Sequence, residues 1–324
     1  MTGPIDPRRY LLSDEESRRI FGTEIVPDEL AHGVPQSDPK VVFVAGQPGA
    51  GKTKTTELVK RRLDERGGAV VVNSDFYKPY HPDYARLLGE DDRTAAPYTS
   101  MDGRRWMAAA ERHLIDHRVD TIIETTMRDP GDFIEPARMF RAAGYRVEAV
   151  IMAVPESLSR LGIVERYRSQ VEATGHGRLT ARENHDASYR GVLSAAGAID
   201  SDRIVDAVTV FRRGNVPLYE NTLTPGGDWR DNPRAAAAIE AERNRPWTPD
   251  EAQAFATATA RLATRTGPQW RDELADIARL AGPLAELHRA AEAIHRARHG
   301  VKPAYAPEPA PSAPEPPTAG PLER

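Results

Sequence analysis

Residues 46–53 read Gly46-Gln47-Pro48-Gly49-Ala50-Gly51-Lys52-Thr53, directly after the apolar run 41–45. This is the G-x-x-x-x-G-K-[ST] pattern in the setting that gives it meaning: a buried strand feeds a glycine-rich turn, and the turn opens a helix. Gly46 and Gly51 let the backbone bend so that amide N–H groups face an anion. Lys52 supplies a point charge for the outer phosphates, and the Thr53 hydroxyl can hold Mg2+. A helix starting near Lys52 turns the positive end of its dipole on the same spot. The motif predicts a nucleoside triphosphate site made by all eight residues. With it comes an α/β P-loop NTPase fold, a central parallel β-sheet flanked by helices.

Outward from the motif the chain keeps the alternation that a parallel sheet requires. The spacing predicts strands at 40–45, 69–73, 121–124, 146–153 and 203–211, and helices at 54–66, 102–117, 134–143, 155–173 and 183–196. The stretch 76–100, with Pro79, Pro82 and Pro97, reads as loops with one short helix. Residues 1–39 are polar, with a helix over 14–21 that Ser13 can cap. Residues 234–298 are alanine-rich and helical, a C-terminal helical extension with breaks expected near Gly267-Pro268 and Gly282-Pro283. Leu274, Ile277, Leu280, Leu284 and Leu287 recur every three to four positions, which suits packing onto the core or, alternatively, a partner-binding face. From Pro303 the proline content predicts a disordered tail. The resulting division is 1–39, an N-terminal helical and loop segment; 40–225, the P-loop domain; 226–300, the helical region; and 301–324, the tail.

Composition narrows the function classes. The 324 residues, 40% hydrophobic and 28% charged, suit one sizeable α/β domain with appendages. A net charge of −4 argues against a nucleic-acid surface. There is no cysteine, which removes disulfides, thiolate metal sites and cysteine nucleophiles. No run approaches the length of a membrane span and the first thirty residues carry no signal-peptide pattern, so the cytoplasm is the expected location. Arginine far outnumbers lysine, as in GC-rich bacterial coding.

Several polar residues fall where strands should end. Asp75 follows the second strand at once, on the edge that lines the ligand crevice of a doubly wound sheet. It is ionised at neutral pH and able to take a hydroxyl proton late in a loose phosphoryl transfer; a helix-capping aspartate is the competing reading. Glu124, Thr126 and Arg128 are two apart at the end of the third strand and share one face if the backbone stays extended. Together they suit a sugar or a metal-bound phosphate, with Glu124 a candidate for Mg2+; the competing reading is a Glu124–Arg128 edge salt bridge. Arg166 points away from the apolar stripe Leu161, Val164, Tyr167 and Val171, and Arg178 follows a Gly-His-Gly break. Two arginines there could clamp a transferring phosphate, though solvated helix charge is the plainer reading. His81 and His185-Asp186 read as structural.

With these in hand, the chain resembles the zeta toxin family of P-loop kinases, which belong to epsilon–zeta toxin–antitoxin systems and phosphorylate UDP-N-acetylglucosamine on a sugar hydroxyl. The resemblance rests on Gly46–Thr53, Asn73–Phe76 with His81-Pro82 beyond, Pro97-Tyr98, Glu124-x-Thr126-x-Arg128, Glu165-Arg166-Tyr167, and Arg178 seven residues before His185-Asp186. It implies that Lys52 and Thr53 hold ATP and Mg2+, and that Asp75 is the base for the sugar 3′-hydroxyl. It also implies that Glu124, Thr126 and Arg128 contact the sugar nucleotide or the metal, and that Arg166 and Arg178 neutralise the γ-phosphate. Where plasmid-borne members carry a substrate-binding glutamate, this chain has Gly103 and Arg104, with Asp102 and Glu111 the nearest acids; this bears on the acceptor. Nothing before residue 40 looks long enough for a fused antitoxin, so an epsilon-type antitoxin is expected as a separate chain. Two alternatives stand beside this reading: a P-loop phosphotransferase for another small molecule, such as an antibiotic or amino sugar, and a nucleotide-dependent switch docking through 234–298.

Overall fold

The computed structural model describes residue 6, residues 8–91 and residues 95–299, the side chains of 96 and 287–299 excepted. Its six strands are β1 (Lys40–Ala45), β2 (Val70–Val72), β3 (Thr121–Thr125), β4 (Arg146–Ala153), β5 (Ala207–Arg212) and β6 (Val216–Thr222). They form one sheet in the order β2-β3-β1-β4-β5-β6. The pairings among β1–β5 are parallel, and β6 adds an antiparallel edge. β1 is central and its neighbours β3 and β4 lead to opposite halves, so its carboxyl end is a topological switch point, where ligands of such sheets bind. Along β1, Val41, Phe43 and Ala45 enter one apolar cluster and Val42 and Val44 the other, as period two requires of a strand covered on both faces.

The helices follow as α1 (Asp14–Ile20), α2 (Lys52–Asp64), α3 (Ser74–Tyr77), α4 (Tyr84–Glu90), α5 (Ala95–Asp116) and α6 (Gly131–Ala142). Then come α7 (Glu156–Thr174), α8 (Arg182–Asp202), α9 (Ala235–Asn244), α10 (Pro249–Arg265) and α11 (Arg271–His299). Ser13 caps α1 as expected, accepting from Glu16 N at 3.2 Å, and a π-helical stretch, Phe21–Leu30, continues it into the core through Ile25 and Leu30. α9 also enters the main core, through Ala235 and Ile239. α10 and α11 instead make a satellite cluster with α7, in which Leu161 and Val164 meet Trp247, Phe255, Trp270, Leu274 and Ile277.

Four expectations need correction. The stretch 76–100 is not mostly loop: α3, a 3-10 turn, α4 and the start of α5 take up most of its described residues, and Pro97 lies within a helix's first turn, where proline costs no hydrogen bond. The break at Gly282-Pro283 does not occur; α11 runs through Pro283, docked by Leu274, Ile277 and Ala281, and Leu284 O accepts from Trp247 N at 3.1 Å. The fifth strand begins at Ala207, since Arg203 takes a left-handed conformation (φ 53°) that ends α8. The β6 hairpin was not foreseen, although Gly214 and Asn215, both at positive φ, are a hairpin-turn signal. The expected tail, 301–324, and the Leu287 side chain lie outside the described residues.

Candidate active site

β1 delivers the chain to the loop, where Gly46 N donates to Thr125 O at 3.2 Å. Gly49 (φ 78°) and Gly51 (φ 92°) are left-handed, and a Cβ on Gly49 would stand 1.9 Å from Ser159 O of α7. Gly51 occupies the N-cap of α2 without a side-chain cap, which leaves the helix N–H groups to an anion. Thr53 is exposed on the first turn of α2 beside them. Ala50 and Gln47 are fully buried, and the Gln47 amide turns inward, donating to Val154 O (2.8 Å) and Ser159 Oγ (3.2 Å). Gln47 and Ala50 therefore present only backbone to the space in front of the loop. Lys52 Nζ lies beneath the loop, donating to Gly46 O at 2.6 Å and Gln47 O at 3.5 Å. Burial lowers its pKa to about 8, Glu124 and Asp75 opposing the shift and Arg166 and Arg178 adding to it. One lysine thus feels every principal charge expected at the site.

Asp75 sits in the first turn of α3, whose cap Asn73 accepts from Asp75 N at 3.0 Å. Its carboxylate is clamped between two cations, Lys78 Nζ at 2.7 Å and Arg178 Nη1 at 2.5 Å. Burial alone would raise its pKa, but Lys78 and Arg178 together hold it well below the usual carboxylate range. Lys78 escaped the sequence reading; its signal was the i,i+3 spacing from Asp75 on a helix. Arg166 donates to Thr180 Oγ1 at 2.8 Å, while its Nε is buried with no hydrogen-bond partner among the described residues. Burial, with Arg178 nearby, lowers its pKa to about 10 against the pull of Asp75. Asp75 and Arg178 are thus in contact, and Lys52 and Arg166 lie within electrostatic reach of both.

The third strand's motif does not stay together. Met127 adopts φ 47°, which ends the extended run, and its side chain is buried in the core. The backbone there lies against α8 at Gly191, where a Cβ would stand 2.0 Å from Met127 O. The turn at Met127 therefore takes Arg128 off the face that Glu124 occupies. Arg128 is exposed and donates to Asn184 Oδ1 at 3.1 Å, with no ion pair to Glu124. Thr126, half-buried, follows the strand end. Glu124 faces inward to the site: it accepts from Asn73 Nδ2 at 2.7 Å and from the Thr56 hydroxyl in a short hydrogen bond. It thereby ties α2 to the cap of the helix that carries Asp75.

The histidines are structural, His81 Nε2 meeting Tyr10 O at 2.9 Å and His185 Nε2 meeting Ser159 Oγ at 2.9 Å. Where the glutamate was missing, a Cβ on Gly103 would stand 3.0 Å from Ser74 O, so α5 packs directly on α3. Asp102 is buried with Leu12 N and Arg105, and burial raises the Glu111 carboxyl to about 7. Among the described residues no three His, Asp or Glu side chains form a metal site of their own. A hydroxyl and a carboxylate beside a triphosphate nevertheless fit Mg2+, which keeps water and phosphate oxygens as most of its ligands.

Comparison with known proteins adds four findings. The family model for zeta toxin matches residues 27–224, the span that holds every residue of this site. Toxin zeta of Enterococcus hirae is 26% identical over 200 residues, 61% of this chain and 69% of that protein. Toxin PezT of Streptococcus pneumoniae serotype 4 is 25% identical over 202 residues, 62% of this chain and 76% of that protein. A solved chain from the PezAT chromosomal toxin–antitoxin system of Streptococcus pneumoniae superposes with a TM-score of 0.66 at 18% identity, covering 79% of this chain and 98% of that one. At that identity the likeness establishes the fold.

Proposed function

The chain belongs to the zeta toxin family, and from that premise we propose that it is an ATP- and Mg2+-dependent kinase acting as a toxin, whose acceptor is a sugar hydroxyl of UDP-N-acetylglucosamine or a related nucleotide sugar. The observation that carries this reading is the clamp on Asp75: one carboxylate on the switch-point edge of the sheet, paired with Arg178 and within electrostatic reach of Lys52 and Arg166. The α2 N-terminus and Lys52 bind the triphosphate. Arg166 and Arg178 spread over the transferring group, and a triphosphate offers Arg178 a stronger anion than Asp75 does. Asp75 is then free to orient the acceptor hydroxyl. As oxygen bonds to the terminal phosphorus and the bridging bond to ADP breaks, Asp75 takes the proton. A carboxylate of such low basicity suffices because the proton leaves late in a loose transition state. Thr53 and Glu124 would hold Mg2+, which supplies neutralising charge between the outer phosphates when bound. A separate antitoxin chain is the proposed partner, because the solved neighbour comes from a toxin–antitoxin system. No helix among the described residues is long and apolar enough to cross a membrane, and we place the chain's work in the cytoplasm.

Incubation with ATP and UDP-N-acetylglucosamine should give ADP and a sugar nucleotide heavier by one phosphoryl group in the mass spectrum. Asp75→Asn should abolish the product, and full turnover by that variant removes Asp75 as the base. A second reading keeps the kinase and changes the acceptor. It is favoured by the Gly103 contact with α3 and by Arg104, which with Arg178 lowers the Lys78 pKa against the pull of Asp75, after burial, the largest cause. This region offers an acceptor cations in place of the family's carboxylate. A screen of nucleotide sugars, amino sugars and antibiotics decides between the two.

A further inference from the structure

The helix α9 returns a side chain to the P-loop across 196 residues of sequence. Arg243, near its end, is 6% exposed, with its guanidinium carbon 3.7 Å from the centre of the Tyr189 ring. Its Nη1 donates to Tyr189 O at 2.8 Å and its Nη2 to Gln47 Oε1 at 3.3 Å. No described carboxylate stands within ion-pair distance of it, so its hydrogen bonds go to a main-chain oxygen and to the P-loop amide. Gln47, with no exposed surface, spends its Nε2 on Val154 O and Ser159 Oγ. Each polar atom of that amide is thus engaged. Its own carbonyl accepts from Ala50 N at 3.1 Å and lies 3.5 Å from Lys52 Nζ, which links the amide's position to the turn that faces a phosphate. The anchor itself is rigid: the adjacent Glu242 holds Arg212 at the end of β5 through two 2.7 Å contacts, and Ile239 is fully buried in the core.

We propose that Arg243 is a positioning residue for the nucleotide site, holding the P-loop backbone in its phosphate-binding shape through Gln47. The proposal rests on the nucleotide-site reading above and not on the identity of the acceptor. Arg243→Met keeps the bulk of the stem and removes the donors. In the full chain, it should weaken binding of a fluorescent ATP analogue about tenfold, equivalent to about 1.4 kcal/mol, and raise the KM for ATP more than it lowers kcat. Arg243→Lys should recover part of the loss. Adding Gln47→Leu to Arg243→Met should weaken binding no further than Gln47→Leu alone, because both changes break one linkage. Unchanged affinity in Arg243→Met, or losses that simply add, would overturn the proposal. Should Arg243→Met not fold, Gln47→Leu deletes the same bond from the other side, and normal affinity in that variant overturns it equally. A wild-type chain that binds no ATP overturns the kinase reading and this one together. A variant matching a wild type that does bind overturns this one alone.

Discussion

Asp75 and Lys52 both have lowered pKa values, the first held down by neighbouring cations against its burial and the second by burial itself, and each has a measurable consequence. Lys78 and Arg178 hold Asp75 below its ordinary range, so it stays ionised throughout the neutral and mildly acid region and contributes no limb to a rate profile there. Lys78→Met removes one of the two cations. The Asp75 pKa should rise toward the ordinary value of about 3.9, and the acid limb of kcat should move up with it in a pH series. For Lys52 the lowered pKa means that the fold disfavours the charged form, whereas for Asp75 it favours it. Burial lowers Lys52 from 10.5 to about 8, so ATP affinity should fall as pH rises through about 8 and the ammonium is lost. The sign for stability follows from proton counts. Between pH 8 and 10.5 the unfolded chain binds more protons at this position, so the cost of burying the charge is full below 8 and relieved above it. Lys52→Met should therefore raise the melting midpoint at pH 7 by about 2 °C or more while ATP binding is lost. A midpoint that falls instead would show that Lys52 stabilises the loop it sits under.

The P-loop and its supports separate two kinds of glycine. Gly49 needs both its left-handed backbone and its close approach to α7, where a Cβ would stand 1.9 Å from Ser159 O. Gly51 needs only the backbone, because its nearest atoms, on Arg213, are 3.8 Å away. Gly51→Ala should thus cost about 1–2 kcal/mol in urea unfolding, and Gly49→Ala clearly more, since Ser159 must move with α7 and its arginine. Gly191→Ala belongs with Gly49→Ala, its Cβ meeting Met127 O at 2.0 Å. Equal losses in Gly49→Ala and Gly51→Ala would refute the contact argument. The strand-end motif teaches a related lesson. A two-residue period from Glu124 to Arg128 was legible, but the backbone turn at Met127, whose side chain is buried in the core, was not.

Across the molecule, the C-terminal helices brace the helix that carries Arg166. Arg160, 2% exposed on α7, pairs with Glu273 of α11 at 2.7 Å, while its contact to Glu156 is longer, 3.6 Å. Arg182 of α8 reaches Asp276 at 2.8 Å, and Arg261 of α10 reaches Glu165 at 3.0 Å. Glu273→Gln leaves the buried Arg160 short of its nearer partner and should cost about 2–3 kcal/mol of unfolding free energy. Because Arg166 lies two turns along the same helix, kcat should fall in that variant as well. A stability loss without a rate loss would mean that the brace and the arginine are independent.

The sequence by itself determined the glycine-rich P-loop, the parallel sheet around it and the ordered set of charged residues that marks the family. Such features depend on local spacing: an apolar run, glycines at fixed offsets, a carboxylate one step past a strand. Only the tertiary structure decided which of those residues meet. It joined Asp75 to Arg178 from a loop about a hundred positions later, recruited Lys78, separated Arg128 from Glu124, and brought Arg243 back to Gln47. Pairings of that kind are set by how helices pack on the sheet, and packing is a property of the whole core that no local pattern encodes.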